Sequence, residues 1–231
     1  MDGEYHFVTL PWEGALKMKK YLISTFWSIP ILLMFFGVFL VAAQEGLSIM
    51  QVKDGFDYKQ PLSAWEKKIN LCDDCHLEEG VSLRYYACYD SKFLYFGFYV
   101  TDPFLSFNDD YSLDFQGSDH LRIYFLPSEK KPSLKPLILY LLPSSKIKEP
   151  LFNISGGSWR RQSIKINSIL GEKDYFVTMA IPLAELNISA YSGQEIRIQI
   201  MINDITSKGK TRKLWVNGNK LEDYSTLVFS R

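Results

Sequence analysis

"EIRIQIMI", residues 195–202, decides the fold. Ile196, Ile198, Ile200 and Ile202 alternate with Arg197, Gln199 and Met201, the period of two that belongs to a strand with one buried face. A helix would group its apolar residues three and four positions apart. The stretches around it repeat the signal. "VSLRYYACY" (81–89) sets Val81, Leu83, Tyr85 and Ala87 on one side, and "FLYFGFYV" (93–100) does the same with Leu94, Phe96, Phe98 and Val100. Asp90 and Ser91 make the turn between them. "HLRIYF" (120–125) and "SIKINSI" (163–169) alternate as well, while "KPLILYLL" (135–142) is apolar on both sides. "DYFVTMAI" (174–181) and "STLVF" (225–229) complete the set. Short alternating runs separated by turn residues predict an all-β, antiparallel jelly-roll-like β-sandwich. One short helical piece is expected at "IPLAELN" (181–187), where Pro182 suits a first turn.

The chain has 231 residues, 47% hydrophobic and 15% aromatic, enough for one domain with a real core. Lys and Arg number 26, and so do Asp and Glu. A neutral chain offers no basic stripe for phosphates, so no nucleic acid is expected as a partner. "KMKKYLISTFWSIPILLMFFGVFLVAAQEG" (17–46) has a basic start, an apolar run and small residues before Gln44, the layout of a secretory signal. The expected cleavage follows Ala43. An uncleaved membrane anchor over residues 21–43 is the alternative. Met18-Lys19-Lys20 reads as a start, so residues 1–17 read as an over-extended gene start, 18–43 as signal peptide and 46–231 as one sandwich domain. The expected location is secreted or periplasmic.

Export would place all three cysteines in an oxidising compartment. "LCDDCH" (71–76) holds C-x-x-C-H, the spacing at which haem c is attached through two thioethers with the histidine on iron. Cys72, Cys75 and His76 would carry it, and Met201, Met179 or His120 could supply the second axial ligand. A local Cys72–Cys75 bridge and free thiols remain alternatives. In this reading Cys72 ends a strand and residues 73–80 form a loop. Cys88 then lies about 23 Å along the next strand, too far for a bridge or a shared zinc.

Several stretches in order carry a resemblance: "KDGFDYKQPLSAWEKKINL" (53–71), "CYDSKFLYFGFYVTDP" (88–103), "QGSDHLRIYF" (116–125), "YFVTMAIPLAEL" (175–186) and "GQEIRIQIMINDI" (193–205). Together they resemble the family 9 carbohydrate-binding modules across nearly all of residues 52–230. The resemblance implies an exported, non-catalytic sandwich that binds a poly- or oligosaccharide and acts beside glycan-degrading enzymes. In sugar-binding members two tryptophans stack on the sugar, and carboxylate, amide and Arg side chains take the hydroxyls. Where the family has its first stacking Trp, this chain has Phe115 and Gln116; Trp215 falls near the second. A Glu is replaced by Arg122 and a Gln by Met201, while Asn203 and Asp204 match.

The ligand-binding candidates are therefore Phe115, Arg122, Trp159, Asn203, Asp204 and Trp215. Trp159 joins them because it stands in a Gly- and Arg-rich loop, "ISGGSWRRQS" (154–163). Trp65 reads as core. Tyr86, Tyr95, Tyr99 and Tyr124 fall opposite the predicted core and could form a binding face or a packing surface for loops. Asp109, Asp110, Asp114 and Asp119 form an acidic loop that could bind calcium, although the twelve-residue calcium-loop pattern is missing. No Ser, Cys and His arrangement reads as catalytic. Besides glycan binding, two alternatives stand: a cytochrome-like protein and a cell-envelope interaction domain without a small ligand.

Overall fold

In the computed structural model, described over residues 46–107, 117–126, 136–143, 151–156 and 161–230, the alternating runs are strands. In chain order they are β1 (Leu47–Gln51), helix α1 (Leu62–Lys68), β2 (Leu71–His76), β3 (Ser82–Tyr89), β4 (Phe93–Thr101), β5 (His120–Leu126), β6 (Leu137–Leu142), β7 (Leu151–Ser155), β8 (Lys165–Leu170), β9 (Asp174–Pro182), β10 (Glu195–Ile205), β11 (Thr211–Trp215) and β12 (Ser225–Ser230). Phe115, Trp159, Asp109, Asp110, Asp114 and the N-terminal signal lie outside the described residues. Among the described residues no helix is long and apolar enough to cross a membrane.

The strands run in the order β7-β6-β5-β10-β12-β1-β3-β4-β9-β8, with β11 added on β10 and β2 on β3. Pairing is antiparallel except where β1 lies parallel to both β12 and β3. The sheet curls so that its two arms face each other as a sandwich. Ile196, Ile198, Ile200 and Ile202 of β10 join Leu121 and Ile123 of β5, Phe96 and Phe98 of β4, and Val177 and Met179 of β9 in one core. Period-two burial is what closes it, because each strand gives one face to the same interior.

The opposite face of β3, β4 and β9 is also closed. Tyr86 and Tyr95, expected to point outward, are only 2% and 3% exposed. The segment before β2 covers them: α1 presents Trp65 to this face, and Ile69, the residue that caps the helix, packs beside it. Phe56 meets Trp65 edge-on at 5.1 Å and Tyr95 at 5.2 Å. Gly97 makes room: a Cβ there would lie 3.0 Å from the Phe176 ring and 3.2 Å from Trp65. The cover is latched at its edge. Asp54 accepts from the Ser91 amide at 3.0 Å and its hydroxyl at 2.7 Å, and buried Asp90 accepts from Tyr95 at 2.6 Å and the Gly55 amide at 3.1 Å.

Two local expectations change. The helix lies at 62–68; at 181–187, β9 continues to Pro182 and a turn follows, ended by Asn187 at φ 55°. Leu183 is drawn into the core, and its amide bonds to the Lys92 carbonyl at 2.8 Å. The strand that was expected to end at Cys72 continues as β2 to His76, so Asp73–His76 are strand and not loop.

Candidate functional site

Strand register lines up side chains across the outer face of the other arm. Asn153 on β7, Tyr140 on β6, Arg122 on β5, Met201 on β10 and Trp215 on β11 are successive cross-strand partners. Beside this row lie Ile138, Tyr124 and Gln199, and on its other side His120, Asn203 and Lys213. Asn153, Tyr140, Arg122 and Trp215 are partly exposed; Met201 and Gln199 form the floor.

The polar and aromatic groups of the row hold one another in place. The Trp215 and Tyr124 rings sit 5.5 Å apart with a 37° tilt. The Arg122 guanidinium lies over Tyr140 at 5.1 Å, and its Nε donates to His120 Nε2 at 2.8 Å. His120 must then be neutral, with Nδ1–H donating to the Ser118 carbonyl at 2.8 Å. Burial agrees, lowering its pKa to about 4. Gln199, fully buried, organises the loop after β11. Its Nε2 donates toward the carbonyls of Asn217 at 2.7 Å, Lys220 at 3.0 Å and Asp223. An amide has two hydrogens, so three carbonyls share them. The loop that follows Trp215 is thus fixed from beneath.

Of the candidates read from sequence, Arg122 and Trp215 stand together in this row. Asn203 is nearby but buried, with Nδ2 donating to the Ser118 carbonyl at 3.2 Å. Asp204 does not share the face. Like Ile202 it points into the sandwich, where Arg212 grips it through Nε at 2.7 Å and Nη2 at 2.6 Å. Tyr140 and Asn153 were not singled out, because only the register of β5, β6 and β7 brings them beside Arg122. Tyr86, Tyr95 and Tyr99 belong to the covered face.

A second constellation lies at one end of the sandwich interior. Asp102 follows β4, Asp119 precedes β5 and Asp204 is on β10, and one oxygen from each lies within 4.8 Å of the others. All three are at most 3% exposed. Asp102 accepts from the Phe104 amide at 2.8 Å; Asp119 accepts from the Ser106 and Ile205 amides at 2.5 and 2.6 Å. Burial, more than mutual repulsion, pushes Asp102 and Asp119 each up to about 7. The acidic loop of the sequence contributes only Asp119 among the described residues; the other two arrive from distant strands.

The C-x-x-C-H motif is packed differently from the loop expected. A bulge at Cys72 breaks the β2–β3 register, and Cys72 packs against the main core. Because β2 runs back along β3, Cys72 lies beside the end of β3 that carries Cys88, so the 23 Å separation does not arise. The two cannot bridge even so: Cys88 belongs to the cluster on the other face of the sheet. All three thiols are free. Burial pushes Cys72 and Cys75 each up to about 12, and raises Cys88 as well. His76 is 85% exposed and 3.7 Å from Asp74. Neighbouring residues of a strand leave opposite faces, so Cys75 and His76 diverge.

No family model and no curated protein sequence matches the chain. Solved structures do. A family 9 carbohydrate-binding module from Caldicellulosiruptor kristjanssonii in complex with cellotriose superposes with a TM-score of 0.58 at 11% identity, covering 79% of this chain and 93% of that one. The module in complex with glucose gives 0.58 at 13%, over 79% and 94%. A structure from Bacteroides uniformis gives 0.54 at 10%, over 80% and 98%. These superpositions show that the chain has the fold of the family 9 carbohydrate-binding modules.

Proposed function

We propose that residues 46–231 are an exported, non-catalytic carbohydrate-binding domain that takes a poly- or oligosaccharide on the face carrying Arg122, Tyr140 and Trp215, in the setting of glycan-degrading enzymes. The observation that carries this is the register from β7 to β11. It sets a partly exposed indole and a guanidinium-capped tyrosine in one line across the sheet. Aromatic planes suit the apolar faces of pyranose rings, and Arg122 with Asn153 supplies donors for hydroxyls. The modules from Caldicellulosiruptor kristjanssonii that share the fold were solved with glucose and cellotriose, which supports a sugar ligand. Phe115 and Trp159 are further stacking candidates, and Asn203 acts by holding the Ser118 segment rather than by touching sugar.

Retention on a panel of soluble and insoluble glycans tests the reading. Wild type is expected to bind at least one glycan, and Trp215→Ala to lose that binding while keeping its melting temperature. Binding to none would leave an interaction domain without a small ligand. Haem plays no part in the reading, since attachment would have to draw Cys72 out of the core. Protein made alongside haem-attachment machinery should keep its unmodified mass and show no Soret absorbance.

A further inference from the structure

We propose that the face carrying Arg122 and Trp215 takes an anionic oligosaccharide, one with carboxylate or sulfate groups on its rings; this rests on the proposal that the face binds sugar at all. The outward side chains of β5, β6, β7, β10 and β11 include three cations, Arg122, Arg197 and Lys213. Their one carboxylate is Glu195, at the far end of β10, about 20 Å along the strand from the row through Met201. In the loop after β11, Asp223 turns inward and accepts from the Asn219 amide at 2.9 Å. The chain as a whole balances 26 cations with 26 anions, so the excess belongs to this face.

Arg122 is prepared for an anion that the chain does not supply. Elsewhere the arginines are matched: Arg84 pairs with Glu66 at 2.7 Å and Arg212 with Asp204 at 2.6 Å. Arg122 has no carboxylate partner among the described residues. Its guanidinium carries five N–H donors. Neutral His120 takes the Nε proton, Tyr124 lies against the group, and Tyr140 lies under its flat side. The Nη edge is thereby held in one orientation, a fixed fork for two oxygens of a carboxylate or sulfate. Exposed Lys213 stands on the same outer side of β11, two residues before Trp215, and adds a second, flexible charge.

The balance of donors and acceptors selects the same class of ligand. A sugar hydroxyl both donates and accepts, so a face for neutral sugar needs acceptors among its donors. Arg and Lys only donate. The amide oxygens beside them are engaged: Asn153 Oδ1 accepts from the Ile154 amide at 2.9 Å, and Gln199 Oε1 from the Ile200 amide at 2.8 Å. A carboxylate or sulfate only accepts, which complements a donor-rich row. The charges stand at the surface, so salt will screen the attraction.

Matched pairs of oligosaccharides test this: oligogalacturonate against its methyl ester, and a sulfated galactan oligosaccharide against its desulfated form. The charged member of at least one pair should bind at least about tenfold tighter at low salt, with the preference shrinking as salt is raised. The pair that shows it tells carboxylate from sulfate. Arg122→Gln should lower affinity for the charged member about fivefold and leave the neutral member unchanged. Lys213→Gln, at an exposed side chain, should act in the same direction with an unchanged melting temperature. Lys173→Gln, on the turn between β8 and β9, should change nothing. Equal affinity within both pairs overturns the proposal and leaves the sugar reading standing. So does a preference that survives the Arg122→Gln, Lys213→Gln double variant, or one that Lys173→Gln lowers as much. Binding to no glycan, charged or neutral, overturns both.

Discussion

On the β3–β4–β9 side, Tyr86, Tyr95 and Phe176 stand outward from the main core and α1 lays Trp65 over them. On the β5–β6–β10–β11 side, Tyr124, Tyr140, Arg122 and Trp215 stand outward in the same way, and Arg122, Tyr140 and Trp215 stay partly exposed. Both faces carry aromatic rows of the same period. They differ in what the adjoining chain does: the segment from Val52 to Ile69 folds back on one face, and the loop after β11 is held at the margin of the other by Gln199. A row of outward aromatics thus announces a surface to be covered, and the cover can come from the chain or from a ligand.

The sharpest way to break that comparison is Trp65→Ala. It empties a fully buried site and should cost about 3–5 kcal/mol, read as a lower denaturant midpoint. In the folded fraction, glycan retention should be unchanged. Trp215→Ala is the mirror experiment. Affinity should fall about 30-fold, near 2 kcal/mol, with little change in thermal midpoint. A large loss of stability and no loss of binding would mean that both faces are core. Arg122→Ala should weaken binding less, about fivefold, by removing donors and freeing Tyr140 and His120. Smallest is Glu66→Gln on the covered face. It breaks a half-exposed 2.7 Å pair with Arg84, and the stability change should stay under about 0.5 kcal/mol.

The alternation in residues 195–202 named both the strand and its buried side, because a period of two leaves no other assignment. It could not say what lies on the far side. Tyr86 and Tyr95 share the pattern of Tyr124, and only tertiary packing distinguishes them. The seven-residue α1 is too short for a periodic signal, although Trp65, Ile69 and the terminal Lys67 and Lys68 fit a helix after the fact. Strand β2 is legible only as far as Cys72, where the expected strand ends, because "DDCH" is polar and lacks alternation. At the candidate site, Arg122 and Trp215 are legible through the family resemblance, since they fall at or near positions where its sugar-binding members carry contact residues. Tyr140, Asn153 and the union of Asp102 with Asp119 and Asp204 depend on strand order. Pairings across tens of residues leave no local mark in the chain.

Strand β1 lies parallel to β12, Leu47–Met50 beside Leu227–Ser230, and Ser230 Oγ and the Tyr89 hydroxyl tie the same corner at 2.9 and 2.8 Å. Parallel strands at the two extremities of a domain define its mechanics. A pull on the leading end of β1 and the trailing end of β12 slides one strand along the other and loads every rung of the ladder together. Peeling would open the rungs singly. Such an arrangement resists tension far better than heat alone would reveal, a useful property for any module held between a tether and a solid substrate.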